Sequence, residues 1–366
     1  MKSLRITLLI TLVLTAPAAA QLQITPPAAT PSPSAAKPQE KPKETSKETP
    51  KTKPHTITKK KEAAPAPKPS ASPSPAPAAT VIPAPNTDNS NADLVFGAYQ
   101  RGQYKTAFEL ATARAQAGDP KAMTMLGELY ANAMGIKRDY AKALEWYKRA
   151  SDAGDREAMF ALAMMRIAGR GGPVDKGEAV RLMASAAKLG EPKAAYNLAL
   201  LYLDGQTLPQ DVKRSAELLR QAADAGLPEA QYALATFYKE GTGVPKDPDK
   251  AVRLLQAASL ADNVDAEVEY AIAMFNGTGT PKNQPAAVAL LRKAARQNSA
   301  IAQNRLAWVL INGMGTPVDK VEGFKWHIVA KTAGKGDPEL DKQLADLPPD
   351  DRAKAEAAAK KWLGTK

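Results

Sequence analysis

Residues 226–261 read GLPEAQYALATFYKEGTGVPKDPDKAVRLLQAASLA, and the outline of this 36-residue string recurs along most of the chain. Gly226 has counterparts at Gly118, Gly154 and Gly190, and the same phase continues through Asp262, Asn298 and Gly334. Four residues after each marker stands an alanine: Ala122, Ala158, Ala194, Ala230, Ala266 and Ala302. A second alanine closes each unit at Ala150, Ala186, Ala222, Ala258, Ala294 and Ala330. Six matches in six units at two positions exceed what an alanine-rich composition supplies, and a period of this length marks stacked structural repeats.

Each unit reads as two helices. In the third unit Ala194, Leu198, Ala199 and Tyr202 fall on one helical face. Gly205 then ends that helix, and the same position holds Gly169, Gly241, Gly277 and Gly313, as expected where a C-cap needs positive φ. Prolines follow in register at Pro173, Pro209, Pro245, Pro281 and Pro317. Two residues later Asp139, Asp175, Asp211, Asp247, Asn283 and Asp319 are placed to cap a second helix. Its apolar residues, such as Ala251, Leu254, Leu255 and Ala258, form a single stripe. No strand pattern competes. One helix pair cannot cover its own apolar stripe, so the units must stack into an all-α superhelical solenoid of about six helix-turn-helix repeats over 118–333. A shortened helix pair is expected over 92–117, where Ala107 lies one period before Ala143. After Gly334 the register is lost, and 334–366 reads as capping helices with a polar outer face.

The columns resemble the Sel-one-like repeat (SLR) family, a relative of the tetratricopeptide repeat with a longer, glycine-marked turn. The strings that carry the likeness are Ala117-Gly118-Asp119-Pro120, Tyr202 with Gly205, Tyr238-Lys239-Glu240-Gly241-Thr242-Gly243-Val244-Pro245, and Asp247 followed by Lys250-Ala251. Arg166 stands where a tyrosine is expected, and Asp262 and Asn298 replace the turn glycine, so looser turns are expected there. The resemblance implies an interaction scaffold, and for an exported bacterial member an adaptor or regulator of another envelope protein.

The chain's 366 residues carry a formal net charge of +12, of which +7 lies in residues 1–91. The remaining +5 gives no polyanion-binding signature, and no nucleic-acid partner is expected. Met1 to Arg5 are basic, Ile6 to Leu14 are apolar, and Ala18-Ala19-Ala20 precedes Gln21, the pattern of a signal peptide over 1–20 cleaved between Ala20 and Gln21. That apolar run is too short to span a bilayer, which needs roughly 20 residues. The expected location is therefore the periplasm or the exterior. Residues 21–91 are dominated by Pro, Ala, Ser, Thr and Lys, with 16 of the 30 prolines, and read as a disordered linker. Its basic part could touch an anionic envelope surface weakly.

Zero cysteines exclude disulfides, thiolate metal sites and cysteine nucleophiles. The two histidines, His55 and His327, fall in separate regions, and no serine has a His-Asp partner in view. Glu267 and Glu269 lie two apart on a helix and do not converge. No catalytic, metal or cofactor site is expected, and the chain does not read as an enzyme. The likeness to tetratricopeptide arrays implies that the first helix of each pair lines the concave binding surface, and here that helix carries a second apolar row beside its packing face. Phe160, Met164, Tyr196, Leu200, Tyr232, Phe275 and Trp308 are the candidate lining of a groove that receives a protein or peptide. The same row could also be buried between successive first helices. Two other functions compete: a cell-wall peptide or β-lactam binding hydrolase, implied only by the resemblance to secreted members of the family that look penicillin-binding, and a tether that holds envelope polymers through its basic linker.

Overall fold

The computed structural model describes residues 89–364, and the described residues are helical throughout, with sixteen helices and no strand. The opening pair is α1 (Asn89–Gln100) and α2 (Tyr104–Gln116). The first helices of the six units are α3 (Pro120–Asn132), α5 (Arg156–Ala168), α7 (Pro192–Asp204), α9 (Pro228–Glu240), α11 (Val264–Asn276) and α13 (Ala300–Ile311). Their second helices are α4 (Tyr140–Asp152), α6 (Lys176–Lys188), α8 (Val212–Asp224), α10 (Pro248–Leu260), α12 (Gln284–Arg296) and α14 (Lys320–Thr332). The helices α15 (Pro338–Ala345) and α16 (Pro349–Gly364) complete the chain. The expected signal segment, its Ala20–Gln21 junction and the Pro-rich linker lie outside the described residues. Among those described, no helix is long and apolar enough to cross a membrane.

The punctuation in the sequence acts as physical capping. Asp139, Asp175, Asp211, Asp247, Asn283 and Asp319 each accept a hydrogen bond from the backbone N–H three residues on, at 2.8–3.1 Å. Each such cap satisfies a donor the helix cannot satisfy itself, and its removal costs about 1 kcal/mol. At the other ends Gly169, Gly205, Gly241 and Gly277 take left-handed φ of 62–82° and close the first helices.

Packing follows chain order, since each helix from α1 to α14 lies against its predecessor and successor, while α16 folds back onto α14. Both alanine columns sit where helices meet, and all twelve side chains are at most 3% exposed. Leu126, Leu162, Leu198, Leu234 and Leu306 fill the space between, each contributing about 1.5–3 kcal/mol through burial. The C-terminal end holds the bulkiest core: Phe324 and Trp326 of α14 are buried with Leu340 and Leu347, and Trp362 meets Trp326 edge-on at 5.0 Å.

Three expectations are corrected. The turns at Asp262 and Asn298 are not loose. Both residues adopt the left-handed conformation of their glycine counterparts, with φ of 58° and 66°. The N–H of the next residue reaches back to Ala258 at 3.0 Å and to Ala294 at 3.2 Å, matching the 3.0 Å closure after Gly154. Short polar side chains tolerate that conformation better than branched ones, so the turn geometry survives the loss of glycine. The first helix pair is shortened only in its turn, residues 101–103, because its helices are as long as the others; α1 also starts at Asn89, ahead of the expected boundary. Finally, Phe275 is a core residue only 7% exposed, packed in the cluster that holds Val268 and Ala271, and so cannot line a groove as expected.

Candidate functional site

The first helices carry the remaining site residues at two recurrent positions. Phe160, Tyr196 and Tyr232 occupy the first on α5, α7 and α9; Met164, Leu200 and Trp308 occupy the second on α5, α7 and α13. All six are half-buried. Phe160, Tyr196 and Tyr232 lean on one core cluster, so three successive units bring their rings to a common surface. Met164 belongs with Phe160 at the start of this row. Trp308 is set apart on the C-terminal cluster, and its indole Nε1 donates to Asp337 Oδ2 at 2.9 Å.

The two tyrosines stand in an acidic setting that the apolar pattern did not reveal. Burial raises the Tyr232 phenol to about 12, and the nearby carboxylates of Asp265, Glu269 and Glu240 push in the same direction. Tyr196 is raised by burial and then by Glu229. Neither hydroxyl has a hydrogen-bond partner among the described residues. Lys239 donates to Glu269 Oε2 of the next first helix at 2.8 Å. The signal was available in the sequence as carboxylates at Glu229, Asp265 and Glu269, but only stacking shows that residues about one unit apart share a patch.

Further toward the N-terminus the same layer encloses a cavity of about 340 Å³ between α1, α3 and the start of α5. Val95, Phe96 and Met125 supply apolar walls, and Arg114, Glu128 and Glu157 line it as well. Tyr99 OH donates to Glu128 Oε1 at 2.7 Å, which ties α1 to α3. Phe96, which also lines it, is 55% exposed.

The titratable groups elsewhere serve packing. Glu267 is fully buried, where Lys293 approaches it at 2.6 Å and Gln297 donates to it at 3.0 Å. Glu269 turns away to Lys239, so the two carboxylates indeed diverge. His327 is also fully buried, with Nε2 at 2.8 Å from Asp341, and Lys331 shares that carboxylate. Arg166 pairs with Glu178 of α6 at 2.6 Å, which accounts for an arginine where tyrosine was expected. No three His, Asp or Glu side chains come together as a metal site among the described residues.

The model of the family described as Sel1 repeat matches residues 120–155, 156–191, 192–227, 228–263, 264–299 and 300–335. Among solved structures, the Sel1 repeat protein from Oxalobacter formigenes aligns with a TM-score of 0.59 at 26% identity, over 65% of this chain and 98% of that one. A protective antigen present in uropathogenic Escherichia coli strains, which displays an SLR fold, aligns with a TM-score of 0.51 at 23% identity, over 75% of this chain and 68% of that one. The latter likeness shows the fold alone. No curated protein matches the chain in sequence.

Proposed function

The chain belongs to the Sel1 repeat family, and on that premise we propose that it is an exported, non-catalytic scaffold that binds another envelope protein or peptide on its first-helix face. The observation that carries the reading is the half-buried row Phe160, Tyr196 and Tyr232, repeated in three consecutive units. A solvated helix surface gains nothing from aromatic rings at a fixed repeat position. A binding surface does, because rigid amphipathic rings offer large contact area at small entropic cost. The signal-like amino terminus supports export, and N-terminal sequencing of the protein from the envelope should give Gln21 as its first residue.

Site-specific photocrosslinkers at Tyr196 and Tyr232 in the intact cell test the binding surface. A single defined adduct, identified by mass spectrometry and lost with a crosslinker moved to the second-helix surface at Arg253, is the expected result. Adducts to many abundant neighbours, equal at all three positions, would sink the proposal.

A further inference from the structure

The turns of two successive units bring arginines to one tyrosine. Cζ of Arg138 and Cζ of Arg170 stand 5.7 and 5.6 Å from the centre of the Tyr140 ring. Arg138 lies just before α4, Tyr140 is the first residue of α4, and Arg170 follows α5 in the turn of the next unit. Backbone packing fixes this approach. Gly171 sits at a φ of 77°, and a Cβ there would collide with the carbonyl oxygen of Tyr140. The turn is therefore pressed onto the first turn of α4, which delivers Arg170 to the ring. Lys137 lies exposed beside Arg138.

The carboxylates of these turns are already committed. Asp139 accepts the Lys142 N–H at 3.0 Å, Asp175 accepts the Glu178 N–H at 2.8 Å, and Glu178 pairs with Arg166 at 2.6 Å. Among the described residues, none of Lys137, Arg138 and Arg170 pairs with a carboxylate. The fold does not ask for this arrangement. In the next three units the positions of Tyr140 and Arg170 hold Lys176 with Gln206, Val212 with Thr242 and Pro248 with Thr278, and the helix pairs form all the same. Three cations gathered without a counter-ion repel one another, and a bound anion removes that repulsion.

We infer that Lys137, Arg138 and Arg170 receive an acidic peptide segment, with its carboxylates on the two guanidinium groups and a neighbouring apolar side chain against Val174. A guanidinium presents paired N–H donors that match the two oxygens of a carboxylate, and the contact with Tyr140 restrains both arginines for that pairing. Val174 holds the position of Arg138 one unit on and is 57% exposed, so a segment running along the turns meets charge first and then an apolar contact. A free anion has no use for the valine. Nor do the turns continue the charge, since residues 205–211 of the third unit contain no lysine or arginine. A few carboxylates on a peptide fit such a local cluster better than a lipid surface does. The site lies on the turns and does not depend on the first-helix row being a binding surface.

Titrating the nitrogen-15 labelled full chain with the peptide acetyl-Glu-Glu-Leu-Glu-amide tests the assignment. Backbone amide shifts of Tyr140, Arg170, Gly171 and Val174 should move and saturate, while the neutral acetyl-Gln-Gln-Leu-Gln-amide should leave them in place. Arg138→Gln/Arg170→Gln should weaken the acidic peptide by about tenfold or more. Arg253→Gln/Arg296→Gln removes the same charge from α10 and α12 and should leave binding unchanged. All four arginines are at least partly exposed, so neither variant disturbs the core. Absence of saturation, equal weakening in both variants, or shifts spread over the second helices overturns the proposal. Two further probes separate other anions. Inorganic phosphate binding as tightly as the peptide, or phosphatidylglycerol vesicles producing the same shifts, would assign a free anion or a lipid surface and also overturn it. Failure of the photocrosslinking at Tyr196 and Tyr232 would leave these shifts intact, so the two readings fail independently.

Discussion

The carbonyl oxygen of Val212 stands 2.6 Å from the point where Gly243 would carry a Cβ. The second glycine of the turn in one unit is thereby pressed onto the first turn of the preceding unit's second helix. The pattern repeats one unit on, where the carbonyl of Pro248 lies 2.7 Å from the Cβ position of Gly279. Gly241 differs: its φ is 82°, yet the nearest atom to its Cβ position is Lys246 Cβ at 3.5 Å. Gly241→Ala should therefore cost only the left-handed penalty of about 1–2 kcal/mol. Gly243→Ala adds an overpacking cost of roughly 1–3 kcal/mol because backbone cannot step aside. Equal losses in urea unfolding of the two variants would refute the packing role.

Ala133 holds a left-handed φ of 58° without the polar side chain that eases this conformation. Ala133→Gly should raise stability by about 0.5–1 kcal/mol, the released strain being partly offset by the extra freedom glycine has when unfolded. Asn298→Gly, at a φ of 66°, should be close to neutral since asparagine tolerates the region. Thermal melts of both variants distinguish the cases.

Glu267 occupies the position held by Gln231 and Gln303, whose amides donate to the carbonyls of Ala223 and Ala295 eight residues back. Glu267→Gln can make the equivalent bond to Ser259, so it should change stability by less than about 1 kcal/mol. Lys293→Met leaves the buried carboxylate with Gln297 but no cation, and should cost about 3 kcal/mol. Similar losses in the two variants would contradict this account of the network.

Burial raises the phenols of Tyr99, Tyr147 and Tyr232, the last to about 12. Their ordinary value is 10.0, so between about pH 10 and 12 the unfolded chain loses protons that the folded chain keeps. Stability from these groups is fully present below pH 10 and falls as pH rises through that window. Tyr147→Phe should shift the midpoint of alkaline unfolding upward, read by circular dichroism, because Tyr147 is 6% exposed and ionises at greatest cost. An unchanged midpoint would count against its ionisation driving the transition.

The repeat period, both helices of each unit and their caps were legible in the sequence, because capping and helical amphipathicity are local properties. Asp247, Gly241 and Ala251 have the same role in the string and in the structure. The row Phe160, Tyr196 and Tyr232 was also legible as a column, since a fixed period fixes a fixed face.

Tertiary structure decided what a column could not. Phe275 has the same helical phase as Lys239 one unit earlier, yet stacking buries one and exposes the other, and burial depends on the neighbours each unit meets. The bond of Lys239 to Glu269, the close approach of Gly243 to Val212 and the influence of Asp265 and Glu269 on Tyr232 all join residues 30 to 37 positions apart. By itself the sequence determined a chain of helix pairs with caps, turns and alanine contacts. Distance between units is set by side-chain volume and turn geometry acting together, and so the acidic patch and the packed turns became visible only when the repeats were stacked.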